Sequence, residues 1–166
     1  VPTQGSGISG VDVGSVTIRL ADSGHYNMLI GATDMGTGCD TILAQMAADC
    51  LECEVDQIVV YGVDTDNSPY DSGSYASSTT YITGMATVKA CGELRDKIVR
   101  LGAQMLEAEE ADADFDGSFV YLLGDEEKRV SLADIAAKSM CGNDLSLEAS
   151  ASHSSPKSPP PFMCGM

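Results

Sequence analysis

The chain has 166 residues, 43% hydrophobic and 20% charged, with 9 Lys plus Arg against 25 Asp plus Glu and a formal net charge of -16. That length and apolar content suit one globular domain with its own core, and the negative balance excludes a nucleic-acid partner, whose phosphates need basic patches. No apolar run approaches the ~18 residues of a membrane span, and any phosphate bound here must be held by backbone amides and hydroxyls, because the overall field repels it.

The chain opens on Val1-Pro2 without an initiator Met and stops abruptly at Met166, which reads as a piece of a longer polypeptide. No secretory signal is visible, so a reducing cytoplasm with free thiols is expected. Residues 1–14 are glycine-rich and read as a loop. Ser15–Leu20 alternates and Tyr26–Ile30 is short and apolar, with Asp22-Ser23-Gly24 between them, which predicts a hairpin over 15–31. A glycine loop, 31–38, follows. The next helix runs to about Glu52, capped by Asp40 or Thr41, with Ile42, Leu43, Met46, Ala47, Cys50 and Leu51 on its buried face. Gln57–Tyr61 is a short β-branched strand, and 62–77 is a long polar loop of the kind that is usually functional or disordered.

Helical spacing is strongest from Ser78 to Ala108, where Ile82, Met85, Val88, Cys91, Leu94, Ile98, Leu101 and Met105 recur. Gly84, Gly92 and Gly102 lower its propensity, and the first two are read as points of close packing. The acidic run 107–114 is a solvated face. Phe115–Leu123 reads as a strand, entered by a turn at Asp116-Gly117. Leu132–Ser139 is a short helix capped by Ser131, and 142–161 is Ser/Pro-rich and extended. The expected fold is α+β: a domain over 1–141 in which a small mixed sheet packs two main helices on one face, followed by an extended Ser/Pro segment over 142–166.

Chemistry concentrates in the two loops. Gly36-Thr37-Gly38 is only G-x-G: position 41 is Thr, so it lacks the dinucleotide fingerprint, no β-α-β unit begins the chain, and no Lys follows as in a P-loop. A strand-to-helix turn and an anion cradle both remain open for it. Tyr75-Ala76-Ser77-Ser78-Thr79-Thr80 is more specific. A structural cap needs one Ser or Thr, and such a run is a poor helix former. Hydroxyls beside the unsatisfied amides of a helix start point to ligand binding.

Asp64, Asp66 and Asp71 could gather round a metal, but their spacing matches no calcium loop. Cys50-Leu-Glu-Cys53 is a C-x-x-C open to a structural, metal or dithiol role; it has no second copy and no histidine at ligand spacing, and Cys50 fits the apolar helix face. His25 and His153 read as solvated. No Ser-His-Asp arrangement or other catalytic base is assigned.

Thr33-Asp-Met-Gly36-Thr37-Gly38-Cys-Asp-Thr41 with Gln45 resembles the pattern T-E/D-x-G-Q-G-x-x-T followed by Gln. Asp64-Thr65-Asp66 with Pro69-Tyr-Asp-Ser-Gly73-Ser-Tyr75-Ala76-Ser77-Ser78 resembles D-T-D-x-x-P-x-x-x-G-x-x-A-S. In both, a helix follows directly. These are motifs of the molybdopterin-binding subunit of the xanthine dehydrogenase/aldehyde oxidase family of molybdenum hydroxylases, and the resemblance spans roughly residues 4–105. Gly5-Ser-Gly-Ile-Ser9 and Ser154–Phe162 resemble the bacterial xanthine dehydrogenase branch.

The resemblance implies oxidative hydroxylation of a purine, N-heterocycle or aldehyde with water as oxygen source. It implies molybdenum on a molybdopterin, usually in the cytosine dinucleotide form, and iron–sulfur clusters and FAD on partner domains or subunits. By motif, Gly36, Thr37, Gly38, Ala76, Ser77, Ser78 and Thr79 would bind the cofactor, and Gly5, Ser6, Gly7 and Ile8 would line the substrate pocket. Two departures stand out. Thr37 replaces the family's Gln and is too short to span the same distance without a water. The Gly-Glu-Pro-type motif with the catalytic glutamate does not occur, so the chain is expected to be inactive alone. It is expected to pack against the rest of its subunit and, in isolation, to dimerise through exposed apolar surface. A non-catalytic binding or interaction module on the same fold is the rival.

Overall fold

Strands β1 (Val13–Leu20) and β2 (Tyr26–Ile30) form the expected antiparallel hairpin in a computed structural model that describes residues 11–75, 78–141 and 147–154. From β2 the chain crosses through helix α1 (Cys39–Leu51) to β3 (Ile58–Tyr61), which lies parallel to β2. The strand, helix and strand read over 26–61 thus form a β-α-β unit, though not at the start of the chain. It is followed by helix α2 (Thr79–Met105), strands β4 (Ala113–Phe115), β5 (Phe119–Leu122) and β6 (Asp125–Ser131), helix α3 (Leu132–Cys141) and strand β7 (Glu148–Ser154). The architecture is α+β, with a mixed sheet ordered β3-β2-β1-β7 and a second, antiparallel sheet ordered β4-β5-β6.

Alternation places the core. Val16, Ile18 and Leu20 of β1 and Tyr26, Met28 and Ile30 of β2 are buried on one face, because successive strand residues point to opposite sides. Helices α1 and α2 cover that face. Leu43, Ala47 and Leu51 point inward from α1, and Ala86, Ala90, Leu94 and Ile98 from α2. Fully buried Leu94 and Ile98 contribute roughly 2 kcal/mol each. The other face carries Thr17, Arg19, Asn27 and Ser150, none of them buried.

Helix α2 is the spine of the molecule. Gly84 lets the Met46 sulfur of α1 come within 2.8 Å of where a Cβ would sit, and Gly102 seats Val120 of β5 at 2.5 Å from such a position. Gly92 faces open space, so the close-packing role falls to Gly84 and Gly102 rather than to Gly84 and Gly92. Arg95 donates to Glu52, to Asp114 at 2.9 Å and to the Phe115 carbonyl at 2.9 Å, tying the end of α1 and β4 to α2.

Several elements differ from the sequence reading. The stretch 115–123 splits into two strands because the Asp116 carboxylate accepts from the Ser118 and Phe119 amides and turns the chain. Strand β6, Asp-Glu-Glu-Lys-Arg-Val-Ser, has too much charge to read as a strand; its first five residues are exposed, so nothing forces an apolar alternation. Strand β7 lies inside the stretch read as extended, and pairs along β1 from Val13↔Ser154 to Arg19↔Glu148. The main sheet thus reaches past residue 141. Ser131 caps α3 as expected, accepting from the Asp134 amide at 3.2 Å. Among the described residues, no helix is long and apolar enough to cross a membrane.

Candidate functional site

Because β2 and β3 run parallel, the loops that leave them emerge from the same end of the sheet. Gly31 marks their contact. A Cβ there would run into the Pro69 carbonyl and lie 2.6 Å from the Asp71 Cβ, so only glycine lets the two loops touch. Loop 31–38 leads into α1 and loop 62–78 into α2, which brings both motif-bearing segments to one edge.

The first loop is folded around a carboxylate. Asp34 Oδ1 accepts from the amides of Gly36 at 2.8 Å, Thr37 at 2.9 Å and Gly38 at 3.1 Å. Gly36 (φ 96) and Gly38 (φ 72) both take the left-handed conformation that aims these successive N–H groups at one point. The Gly36 amide, then Gly38, hold the Asp34 carboxyl below the ordinary carboxylate range. The expected outward-facing amides are therefore already occupied by the protein's own anion. Neither Asp40 nor Thr41 caps α1; Gly38 takes that position and no side chain caps the helix. What the loop offers outward is its tip, with Thr37 exposed and Met35 70% exposed. Beneath it, ligand atoms of Asp34, Cys39 and Asp40 lie within 4.8 Å of one another. Burial pushes the Cys39 thiol up, which favours its protonated form.

The second loop is pinned at several points. Asp71 accepts from the Gly73 amide at 2.8 Å through Oδ1 and from the Thr83 hydroxyl of α2 at 3.0 Å through Oδ2. Ser72 donates its amide to the Val13 carbonyl at 2.9 Å and accepts from the Val13 amide at 3.1 Å, locking the loop to β1. Ser78 is 4% exposed, and both its amide (3.2 Å) and its hydroxyl (2.8 Å) donate to the Tyr75 carbonyl. Its hydroxyl proton is thus committed to the turn. Among the described residues no side chain caps α2, and the first helical bond is from the Ile82 amide to the Ser78 carbonyl. The Thr79, Thr80 and Tyr81 amides stand at the start of a 27-residue helix that no described side chain caps, with Thr79 half-buried and Thr80 exposed beside them.

Of the sequence-derived site residues, Gly36, Thr37, Gly38, Ser78 and Thr79 fall at this edge. Ala76 and Ser77, and Gly5, Ser6, Gly7 and Ile8, lie outside the described residues. Asp64, Asp66 and Asp71 do not gather. Asp64 is spent on its own turn, accepting from the Asp66 amide at 3.0 Å and the Asn67 side chain at 2.8 Å, while Asp71 serves Thr83. Asp64, Asn67 and Ser68 instead line an open cavity of about 340 Å³ over the sheet face with Arg19, Asn27, Leu29 and Tyr61.

Cys50 and Cys53 are half-buried free thiols, and burial lifts Cys53 to about 11 and Cys91, beside them, to about 12, which favours the structural reading of C-x-x-C. His153 is half-buried rather than fully solvated. It sits on β7 with Nδ1 3.1 Å from Lys89 Nζ and its ring edge-on to Tyr81. Sequence reading missed Asp34 and Asp71 as organisers; the signal available was an Asp two residues before a glycine, the Asx-turn pattern.

The family model for the molybdopterin cofactor-binding domain matches residues 2–166. The chain is 37% identical over 139 residues to the probable hypoxanthine oxidase XdhD of Escherichia coli, covering 84% of this chain and 14% of that protein. It is 31% identical over 136 residues to the carbon monoxide dehydrogenase large chain of Afipia carboxidovorans, covering 81% of this chain and 17% of that one. The structure of reconstituted CO dehydrogenase from Oligotropha carboxidovorans superimposes with a TM-score of 0.84 at 29% identity, over 94% of this chain and 21% of that chain. The chain thus spans only a small part of the length of the proteins it matches.

Proposed function

The chain belongs to the molybdopterin cofactor-binding domain family, and from that premise we propose that it supplies part of the cofactor site of a molybdenum hydroxylase. The observation that carries this reading is the start of α2, which no side chain among the described residues caps, at the same end of the sheet as the first loop. An uncapped helix start offers free N–H groups and roughly half a positive charge, a setting for phosphate even in a protein of net charge -16. The Thr79, Thr80 and Tyr81 amides would hold the anionic end of the pterin. Thr37, at the tip fixed by Asp34, would face it by its side chain. The residues fit such a group at α2; the first loop's amides, from Gly36 to Gly38, are occupied by Asp34, so that loop contributes shape rather than charge.

When bound, the group supplies two-electron oxidation with water as the oxygen source. A purine, N-heterocycle or aldehyde is the proposed substrate, and the name of the Escherichia coli relative favours a purine. The cytosine dinucleotide form, iron–sulfur and FAD partners, a cytoplasmic location and dependence on the rest of a longer subunit belong to the same reading. Gly5, Ser6, Gly7 and Ile8 are proposed for the substrate pocket, and Ala76 and Ser77 for the cofactor.

Thr80→Glu in the parent polypeptide tests it. A carboxylate in the first turn favours the helix but repels a bound anion. In a molybdenum-replete host, the variant should lose most of its molybdenum and pterin with its melting temperature unchanged or higher. Full molybdenum content in Thr80→Glu, or none in the unaltered parent, would overturn the proposal in favour of a non-catalytic module.

A further inference from the structure

We propose that His153 and Lys89 form a pH latch on the end of strand β7: the neutral imidazole ties the strand to α2, and a proton taken up in mild acid unties it. The geometry fixes the roles. Lys89 Nζ lies 3.1 Å from His153 Nδ1. An ammonium has donors and no acceptor, so Nδ1 accepts, the ring is neutral and its proton sits on Nε2. Nε2 is buried and has no hydrogen-bond partner among the described residues. The ring meets that of Tyr81 at 82°, with centroids 5.7 Å apart. A second proton would turn an N–H toward the ammonium, break the bond and leave both ring donors unpaired. Around the ring, α2 brings the Lys89 ammonium and the Tyr81 phenol. From β1, Gly14 stands opposite His153 between Val13 and Ser15, none of them charged, and Asp12 lies one residue past the final Val13↔Ser154 pair. Loss of solvent, then the Lys89 charge, hold His153 below the ordinary histidine value of 6.5.

The bond counts because little else holds β7. It is an edge strand in which only Ala149 is buried, and Glu-Ala-Ser-Ala-Ser-His-Ser contains no β-branched residue. Its side-chain ties are polar. Ser152 bonds Ser15 at 2.9 Å and Ser150 bonds Thr17 at 2.8 Å. Two lysines of α2 hold its ends: Lys97 donates to the Glu148 carbonyl at 2.6 Å, and Lys89 to His153. A carbonyl does not titrate, so acid frees the 152–154 end and leaves the 148 end held. A folded value below the unfolded one means that the unfolded chain takes the proton first. The hold is therefore complete above about pH 6.5 and is lost as pH falls toward the lowered value. The latch does not rest on the cofactor reading.

In the 166-residue chain, an NMR titration should place the His153 midpoint below 6.5, and Lys89→Met should raise it. Across that midpoint, amide protection over 152–154, corrected for the intrinsic pH dependence of exchange, should fall about threefold to tenfold, the span of one hydrogen bond. Protection over 148–150 should hold. His153→Asn keeps an acceptor near the Nδ1 position without a titrating group, so it should retain protection over 152–154 and lose the pH step. A His153 midpoint at or above 6.5, or one unmoved in Lys89→Met, would overturn the latch. So would protection over 152–154 that stays flat through the midpoint, or a pH step that persists in His153→Asn. If His153→Asn pairs poorly with β1, the unaltered chain and Lys89→Met decide it between them.

Discussion

The hydroxyl of Thr83, buried on the first turns of α2, donates to Asp71 Oδ2 at 3.0 Å and so joins the middle of the second loop to the helix that the loop feeds. Through its other oxygen, Asp71 holds the Gly73 amide at 2.8 Å. One carboxylate thereby sets both the bend of the loop and its distance from α2. Thr83→Val keeps the shape and removes the donor. It should cost about 1 kcal/mol in urea unfolding of the chain and raise amide exchange at Ser72 and Gly73. An unchanged unfolding midpoint with unchanged exchange would show the bond to be incidental.

The Asp34 carboxyl should titrate below ordinary aspartates, because the amides of Gly36, Gly38 and Thr37 favour its charged form. A folded pKa below the unfolded one means that the contribution is complete above about pH 4 and is lost as pH falls through the lowered value. Carbonyl chemical shifts followed by NMR should place the Asp34 midpoint under the ordinary aspartate value. The Gly36–Gly38 amides should lose exchange protection in step with it. A midpoint at the ordinary value would remove the nest.

Gly102 and Gly92 make a matched pair on α2. At Gly102 a Cβ would lie 2.5 Å from the Val120 side chain, so Gly102→Ala should destabilise by roughly 1–3 kcal/mol through overpacking. At Gly92 no atom lies within 4 Å, so Gly92→Ala should stabilise by about 0.5–1 kcal/mol through helix propensity. Denaturant midpoints of the two variants should move in opposite directions; movement in the same direction would contradict the packing described for α2 against β5.

Thiol reactivity should rank by burial. Among the described cysteines, Cys141 is exposed and should alkylate first at pH 8, while Cys53, lifted to about 11, and Cys91, lifted to about 12, should react slowly until unfolding. Peptide mapping after timed labelling reads the order directly. Fast labelling of Cys50 and Cys53 in the folded chain would revive a dithiol role for the C-x-x-C.

Much was legible in the sequence because it is local. The β1–β2 hairpin, α1, β3 and α2 follow from side-chain period, which reports which face of each element is buried. β6 and β7 were not legible. The former is charged along an exposed surface and the latter is Glu-Ala-Ser-Ala-Ser-His-Ser, and both become strands by pairing with a neighbour already in place. The two-loop motif was legible as order and spacing, but the state of its amides was not. Asp34 turns the first loop's donors inward, while no described side chain caps the first turn of α2.

The residues alone determined the fold class, the two loops, the family they resemble and the need for neutral donors in an acidic protein, since period, spacing and net charge are properties of the chain itself. Only the tertiary structure decided that Gly31 brings the loops into contact, that Asp71 answers to Thr83 and not to a metal, and that β7 completes the main sheet. Those outcomes depend on distances between residues far apart in sequence, which are set when the elements pack.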